Sequence, residues 1–583
     1  MKRPLLWLAL LLYLTAGGLA VWITPAHEGP DENDHAYYAY YLACTGERPA
    51  ILGSAARNGA AKYTEASLGH HPTLYYRVLA GVAYLLGVAD TAPAWRSNPE
   101  WQRPESPTRH LHWLHGADEA GAGSSELWLL RAWRSVSLLC GLATLLLVHA
   151  LARVVVPGCG AVADGAVLLL AALPQWAWLH GMVENGNLAT TLCTAVLLLG
   201  ACAVRDGRLP VRRALAIGVL SGLALHTKLT SLFLLPWLVA GAWLALRRAG
   251  VGQRRGVGLG FVLALAVALL VAAPFFWQNH RLYGDLLAMA AHRDAYASNL
   301  VPDALRWSWL AGEFPARTLR SVVAGYGWAQ LPAPAAVEAG FAALALAGLG
   351  GWLLPRPEWL RGRGALLAAL GLAFVLVAAS LVHFNRTFFQ PQGRYLFPAL
   401  GAGAILLAAG LSAWARQWPR LAVLRWPGIA ALLLLAWLPP LVVLRPAMGG
   451  TPAPPDPYYA SMVAGLRTPA PAPRQGVRAT EPADGAALAA APLFRWEDPE
   501  APSGARYSVH VWLEATGQLV VATAEWGGIG IADREFRMPD AAWRALPEAG
   551  AVQWKVRRLP DRTRGASGHD AIESAPRTLR RLP

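Results

Sequence analysis

The sequence predicts an all-α polytopic membrane protein with a small all-β domain near its C-terminal end. Hydrophobic residues make up 55% of the 583 positions and charged residues only 15%, which is more apolar sequence than a soluble core requires. About eleven apolar runs of membrane-spanning length lie before residue 445. Runs that alternate apolar and polar residues, as strands do, follow only after residue 490.

Residues 5–23 form the first apolar run and follow two basic residues, Lys2 and Arg3. This pattern is typical both of a cleaved signal peptide and of a retained signal anchor. The run is long enough to cross a bilayer, which favours the anchor. Either interpretation exports the chain from residue 24 onward.

The loops between the apolar runs predict the topology. Residues 24–125 are largely polar, and the apolar segment 73–89 within them carries Arg77, so we expect an interfacial or re-entrant helix there. Arginines fill every second loop, which places the N-terminus in the cytoplasm and residues 24–125 outside the cytoplasmic (inner) membrane. An odd number of helices also exports the C-terminal domain. The other predicted spans are 127–150, 161–181, 187–204, 213–227, 229–246, 257–278, 334–354, 364–383, 394–415 and 422–444.

Three segments follow the predicted transmembrane domain, residues 1–444. Residues 445–490 are rich in Pro and Ala and are expected to be a linker. Residues 491–559 contain short alternating runs such as RYSVHVWL and resemble an immunoglobulin-like or fibronectin type III-like sandwich. Residues 560–583 are rich in arginine and are predicted to be a disordered basic tail.

The formal charge of +15 argues for membrane topology rather than for nucleic-acid binding. Its arginines lie mostly in short loops between apolar runs, so we expect no nucleic-acid partner. The five cysteines lack CxxC spacing, which indicates neither a disulfide framework nor a zinc site. P-loop, GxGxxG, HExxH and Ser/His/Asp signatures are absent from the sequence.

The stretch HEGPDENDHAYYAYY begins at residue 27, directly after the first span. Crowded ionisable groups are costly against a membrane, so this cluster is a candidate functional site. If a helix begins here, Asp31 and His35 lie one turn apart and can converge on one proton or cation. The structural alternative is a helix N-cap cluster followed by an interfacial belt of tyrosines.

Further polar residues fall on the same predicted face. Outward-facing cations at helix starts indicate an anionic partner, and membrane lipids supply the nearest phosphates. Snorkelling of a lysine and an ordinary polar turn are the structural alternatives. The candidates are His70 and His71 in GHHPTLYY, Arg131 and Arg134 at the second span, Glu184 and Asn185 in VENGN, Lys228 in LHTKLT, and Arg394 and Tyr395 in QGRYLFPAL.

These motifs, in this order, resemble the GT-C superfamily of integral membrane glycosyltransferases, which includes protein O-mannosyltransferases and the aminoarabinose transferase of lipid A. PDENDH is similar to the acidic first-loop motif, GHHPTLYY to an HPPLYY element, and GRYLFPAL to a later GRY element. The combination is most similar to a bacterial branch with PDExxH near the start and GRYLFPAL near the end. The resemblance covers residues 1 to about 444, and HHPT and VENGN depart from the usual HPP and SNDA-like elements.

The resemblance implies a polyprenyl-phosphate sugar donor and a lipid, glycan or protein acceptor at the outer face. Asp31 or Glu32 would be the general base of an inverting transfer. Lys228, Arg394 and Arg131 or Arg134 would stabilise the leaving phosphate. Some members use a divalent metal such as Mg²⁺ or Mn²⁺ and others do not; if one binds here, Asp31 and His35 would be ligands. The remaining implied substrate contacts are His35, His70, His71, Glu184, Asn185 and Tyr395.

Two other classes of function compete with the enzyme. A transporter or flippase for lipid-linked sugars would also need outward-facing cations, but internal repeats and charges at the membrane midplane are typical of such proteins. The sequence has neither feature. A non-catalytic scaffold that displays the β domain would not need the acidic cluster.

Overall fold

The computed structural model of the chain has a helical N-terminal part and a β-rich C-terminal part. It describes residues 4–49, 68–88, 96–97, 110–115, 125–296, 299–301, 305–327, 329, 331–355, 357–448, 474–514, 519–522, 531–538, 543, 551–558 and 572–582. The predicted linker therefore lies largely outside the described residues, at 449–473. Residues 559–571, at the start of the predicted tail, lie outside them as well.

Each of the eleven predicted apolar spans lies in a helical segment. The helices are α1 (Pro4–Ile23), α2 (Glu32–Thr45), α3 (Leu74–Leu85), α4 (Ser125–Val155), α5 (Gly160–Ala171), α6 (Pro174–His180), α7 (Asn185–Asp206), α8 (Val211–Leu225), α9 (Leu234–Arg248), α10 (Arg254–Tyr283), α11 (Met289–Ala295), α12 (Arg306–Ala311), α13 (Glu313–Val323), α14 (Ala335–Gly350), α15 (Gly364–Asn385), α16 (Phe397–Gln417), α17 (Arg425–Pro439) and α18 (Arg445–Ala447). The chain is a multi-pass membrane protein.

The number of spans differs from the predicted eleven. Nine helices in the described part of the chain are long and apolar enough to cross a membrane, and α5 with α6 makes a tenth if the pair, bent by 68°, counts as one. Helix α8 has 15 residues, or about 22 Å at 1.5 Å per residue, against a hydrocarbon core of about 30 Å. It packs closely on α10, since a Cβ on Gly218 would lie 2.7 Å from the Ala264 carbonyl oxygen.

Helices α2 and α3 lie beside the bundle at the end where α1 finishes and where α4, α7 and α16 begin. Helix α3 confirms the helix expected within 73–89, with Tyr75 and Tyr76 buried. Helix α2 is buried on nearly every face, and Tyr37, Tyr38, Tyr40 and Tyr41 are all at most 3% exposed. These tyrosines therefore form part of a packed core with α3 and the start of α4, not a belt open to lipid.

The C-terminal part contains two sheets around one core. One sheet has the order β10-β9-β12-β13-β5, with β14 between β12 and β7, and the other has the order β11-β8-β6. Short pairs β1 with β2 and β3 with β4 lie in the helical part. The strands are β1 (Arg96–Ser97), β2 (Trp113–Leu114), β3 (Gly325–Tyr326), β4 (Leu331–Pro332), β5 (Arg474–Gln475), β6 (Arg478–Glu481), β7 (Ala486–Leu488), β8 (Leu493–Glu497), β9 (Tyr507–Leu513), β10 (Leu519–Ala522), β11 (Glu535–Arg537), β12 (Ala551–Arg558), β13 (Ile572–Glu573) and β14 (Arg577–Arg581).

The β region extends beyond the predicted limits 491–559. Strands β5, β6 and β7 lie in the predicted linker, and β13 and β14 lie in the predicted disordered tail. In β14 only Leu579 is fully buried, and it pairs with Val552. Polar residues surround this leucine, so the sequence lacks the alternation of apolar and polar residues by which a strand is predicted.

Candidate active site

The acidic loop gives its carboxylates different environments because of the backbone at Asp31. Asp31 has φ 60° and ψ 14°, in the left-handed region, and directly precedes α2. Its side chain is 30% exposed, whereas Glu28 and Glu32 are fully buried. Adjacent carboxylates therefore have different access to a substrate.

Glu28 holds the acidic loop against residues 112–115. Its carboxylate accepts hydrogen bonds from the backbone N–H groups of His112 (3.0 Å) and Trp113 (2.9 Å). It also contacts His115 Nε2 at 3.0 Å. Three donors occupy three of the about four acceptor positions of this fully buried carboxylate, so Glu28 has a structural role.

Glu32 forms a buried bidentate pair with Arg134 on α4. Arg134 Nε donates to Glu32 Oε1 at 2.8 Å and Nη2 donates to Oε2 at 2.6 Å. The backbone N–H groups of Val183 (2.9 Å) and Gly29 (3.3 Å) donate to the same carboxylate. Burial raises the pKa of Glu32, but Arg134, with smaller contributions from His27 and the Val183 N–H, holds the pKa below its usual value. No acceptor position remains for a substrate hydroxyl, so this geometry differs from the predicted general base.

Arg134 is equally occupied and does not face a phosphate site. Besides Glu32, its guanidinium donates to the carbonyl oxygens of Val21 (3.0 Å), Thr24 (2.6 Å) and Pro25 (2.8 Å). These five bonds fasten the end of α1 and the acidic loop to α4. Val183 also donates to Glu32, so the pair fixes the loop against two other parts of the chain.

Arg131, one helical turn before Arg134 on α4, has different contacts. Its guanidinium is 4.2 Å from the centroid of Trp22 and 5.7 Å from that of Trp128. Both tryptophans are exposed. Arg131 is thus held by cation–π contacts near the bundle surface, and the structure does not bring it to Lys228 or Arg394.

Asp31 pairs with Arg394 across 363 residues of sequence. Arg394 Nη2 donates to Asp31 Oδ2 at 2.5 Å, and Nη1 donates to the Pro30 carbonyl at 3.3 Å. Gly393 sets the position of Arg394, because a Cβ there would lie 2.5 Å from the Val322 nitrogen. Arg394 is the one hydrogen-bond partner of the Asp31 carboxylate within the described ranges.

A second pair, Glu184 with Lys228, lies beside the first. Lys228 Nζ donates to Glu184 Oε1 in a short contact. The Tyr395 ring brings the two pairs together, with Lys228 Nζ 5.6 Å and the Arg394 guanidinium 5.5 Å from its centroid. The structure therefore assembles four predicted residues, Asp31, Glu184, Lys228 and Arg394, around a fifth.

The two carboxylate–cation pairs influence each other. Burial raises the pKa of Glu184, but Lys228 and Arg394 outweigh it and hold the pKa below its usual value. Burial lowers the pKa of Lys228, with Glu184 opposing and Arg394 adding to the decrease. Glu184 is thus ionised, and Lys228 releases its proton more readily than an exposed lysine.

Two neutral histidines share one phenol next to the pairs. His35 Nδ1 lies 2.8 Å from the Tyr76 hydroxyl, and His71 Nδ1 lies 3.3 Å from the same oxygen. Burial lowers the pKa of both histidines well below the usual value; Lys228 adds to the shift of His35, and His35 itself adds to that of His71. Both rings are therefore uncharged near neutral pH.

The contacts of Asn185 assign the tautomer of His71. Asn185 Nδ2 donates to the Thr227 carbonyl (3.2 Å), which fixes the amide, and it also donates to His71 Nδ1 (3.3 Å). His71 Nδ1 is then an acceptor, and its proton is on Nε2. The Tyr76 hydroxyl approaches both His71 Nδ1 and His35 Nδ1 and links the two rings.

His70 belongs to a separate contact. Its Nε2 lies 2.9 Å from Nδ1 of His292 on α11, a residue that the sequence analysis did not single out. Burial lowers the pKa of His292 to about 4. His70 therefore links the loop before α3 to α11, and it does not join the Asp31 and Lys228 pairs.

The predicted metal ligands do not fit a divalent cation in this arrangement. Asp31 is already neutralised by the Arg394 guanidinium, and His35 directs Nδ1 at Tyr76. No group of three or more His, Cys, Asp or Glu side chains that could hold a metal occurs among the residues that the structure describes.

Tyr76 and Thr227 also contribute to the site, although sequence reasoning did not select them. Tyr76 lies in the quoted motif GHHPTLYY, five residues after His71. Its role depends on α2 and α3 packing together, and no spacing rule within the sequence reveals that contact. Thr227 acts through its backbone carbonyl, which leaves no signal in the side-chain pattern.

No protein-family model matches the sequence, and no curated protein matches it. Among solved structures, ArnT from Cupriavidus metallidurans bound to undecaprenyl phosphate is 18% identical with a TM-score of 0.43, over 79% of this chain and 68% of that one. AglB from Archaeoglobus fulgidus, in complex with an inhibitory peptide and a dolichol-phosphate, is 14% identical with a TM-score of 0.44, over 78% and 57%. The S. cerevisiae protein O-mannosyltransferase Pmt1-Pmt2 complex bound to the sugar donor is 14% identical with a TM-score of 0.32, over 48% and 34%. All three are glycosyltransferases of the superfamily that the sequence motifs resemble, and at these TM-scores they assign no activity to this chain.

Proposed function

We propose that the protein transfers a sugar from a polyprenyl-phosphate donor to an acceptor hydroxyl at the outer face of the cytoplasmic membrane. The observation that carries the proposal is the meeting of Asp31–Arg394 and Glu184–Lys228 at Tyr395. The motif resemblance supports it. So does the position of the cluster, at the opposite ends of the helices from the Arg-rich loops that predict the cytoplasmic side.

Lys228 and Arg394 are suited to hold the phosphate of the donor. Each cation now holds one carboxylate, and a lipid phosphate entering the cluster would compete for both. Cleavage of the sugar–phosphate bond adds negative charge to the leaving group, so cations placed beforehand stabilise the transition state more than the ground state. Arg394 can bind two oxygens at once, whereas Lys228 acts as a point charge.

Asp31 is the residue best placed to act as general base. When the donor phosphate draws Arg394 away, the partly exposed Asp31 carboxylate becomes free to accept the proton of the acceptor hydroxyl. The acceptor oxygen bonds to the anomeric carbon with inversion, and the electron pair of the broken bond leaves with the polyprenyl phosphate. Glu32, saturated by Arg134, holds the loop instead.

His35 completes the site as a hydrogen-bonding group. Its Nδ1 contacts Tyr76, so its Nε2 can form a hydrogen bond with a hydroxyl of either sugar or acceptor. Because its pKa is low, His35 positions such a group and leaves the proton transfer to Asp31.

The test compares Asp31→Asn with Asp34→Asn, which removes a carboxylate three residues further on, in the first turn of α2. Purified full-length protein in liposomes is given polyprenyl-phosphate sugars, and transfer is followed by mass spectrometry of the acceptor pool. We expect Asp31→Asn to lower transfer by about 100-fold or more in protein that still folds, as checked by thermal unfolding, and Asp34→Asn to retain activity. Unchanged transfer by Asp31→Asn would refute the assignment, and movement of the lipid-linked sugar across the bilayer without transfer would instead indicate a flippase.

A further inference from the structure

Arg48 is a partly buried arginine whose two terminal nitrogens are buried. It follows α2, just beyond Gly46, and its Nε donates to the Gly69 carbonyl at 3.1 Å. Nη1 and Nη2 are both buried and make no hydrogen bond of ordinary length and angle, and the Tyr38 hydroxyl is the neighbouring polar side-chain group. In Arg134, by contrast, all three nitrogens donate hydrogen bonds.

Aromatic rings compensate part of this charge. The Arg48 guanidinium lies 5.0 Å from the centroid of Phe275 and 5.9 Å from that of Tyr283, both on α10. Such contacts stabilise a cation but satisfy none of its in-plane N–H groups. An arginine stays ionised, so unpaired buried N–H groups are costly, and an anion with two oxygens is the natural partner for the Nη1–Nη2 fork.

Arg48 lies apart from the pairs around Tyr395. Tyr38 stacks on Tyr76 with centroids 3.9 Å apart. The Tyr76 hydroxyl contacts His35, whereas Tyr38 has Arg48 among its charged neighbours, along with Arg77 on α3. No acidic side chain is ion-paired with Arg48 among the residues placed by the structure. The stacked tyrosines thus lie between Arg48 and the pairs that contain Lys228 and Arg394, at the same end of the bundle.

We propose that Arg48 forms a second, phosphate-binding site, distinct from Lys228 and Arg394. Phosphate is the class favoured because this end of the bundle is where lipid phosphates meet the protein and because the guanidinium fork matches two phosphate oxygens. The phosphate can come from a membrane lipid headgroup or from a soluble or substrate phosphate.

The test uses the full-length protein in a neutral detergent, with glycerol phosphate as the probe and thermal unfolding as the readout. Arg48→Met removes the fork. We expect the Tm of Arg48→Met without ligand to rise, because unpaired buried donors disappear. Phosphate should still raise the Tm of Lys228→Met, and this remaining rise should be lost in the double variant Arg48→Met/Lys228→Met. Arg48→Lys keeps the charge without the fork and should fold normally with a smaller phosphate response.

Arg77→Met is the matched control, because it removes an exposed charge beside the same tyrosine and should leave the phosphate response intact. A second arm repeats the titration in phospholipid nanodiscs. If glycerol phosphate no longer raises Tm in nanodiscs, lipid headgroups already occupy the site and are the ligand. If glycerol phosphate still raises Tm there, the ligand is a soluble or substrate phosphate. The proposal is overturned if Arg48→Met lowers Tm and keeps the full phosphate response, or if Arg77→Met loses the response equally.

Discussion

Breaking the Glu32–Arg134 pair tests whether Glu32 is structural. Arg134→Gln leaves a fully buried carboxylate without its cation, a change that typically costs about 3–5 kcal/mol. With an unfolding entropy of about 2.1 cal/mol/K per residue, this loss corresponds to a Tm roughly 3–5 °C lower for a unit the size of residues 4–448. We expect that decrease in detergent-solubilised protein, measured by thermal unfolding.

The double variant Glu32→Gln/Arg134→Met should recover much of the lost stability, because it removes both buried charges together. Arg317→Gln is the control: it breaks an exposed ion pair with Glu313 and should leave Tm unchanged. If Arg134→Gln folds with unchanged Tm while Glu32→Gln abolishes transfer in an equally stable protein, Glu32 acts in catalysis and the structural role is refuted.

Two further predictions concern the polar residues around Tyr395. Donor binding should weaken as pH rises through the pKa of Lys228, which burial places below the usual lysine value of about 10.4. Lys228→Arg should extend donor binding to higher pH. If the donor KM of both proteins rises identically at alkaline pH, this prediction is wrong. His35→Gln can place an amide oxygen near the Nε2 position, whereas His35→Asn reaches only the Nδ1 position, so we expect Gln to preserve KM better than Asn. An equal loss in both variants would show that His35 Nε2 binds no substrate group.

Hydrophobic length and loop charge made much of the bundle predictable. Every apolar run of spanning length is helical in the structure. In a bilayer the backbone N–H and C=O groups of such a run need partners within the segment itself, and a helix provides these hydrogen bonds. The topology predicted from loop charge also places four residues at one end of the bundle without knowledge of any contact: Asp31, Glu184, Lys228 and Arg394. Their grouping as candidates therefore followed from topology.

The roles of neighbouring residues were beyond the reach of the sequence. Asp31 and Glu32 are adjacent and chemically alike, yet the left-handed backbone at Asp31 leaves one carboxylate accessible while the other is fully buried. Arg131 and Arg134 are three positions apart on α4, yet one contacts tryptophans and the other fastens the acidic loop. Such choices depend on which elements pack against each side, and residue type and spacing do not specify that.

In the reaction that we propose, the charges of the paired cluster explain why a carboxylate base and phosphate-binding cations lie together. Asp31, Glu184, Lys228 and Arg394 sum to zero, so the buried cluster is neutral before substrate binds, which limits the desolvation cost of each ion. A donor phosphodiester adds one negative charge, and its cleavage produces a phosphate with two. Transfer of the acceptor proton to Asp31 removes one negative charge as the second appears on the leaving group. The net charge around Tyr395 is therefore the same before and after transfer. A base outside the cluster would take the proton elsewhere and leave the cluster with one additional negative charge.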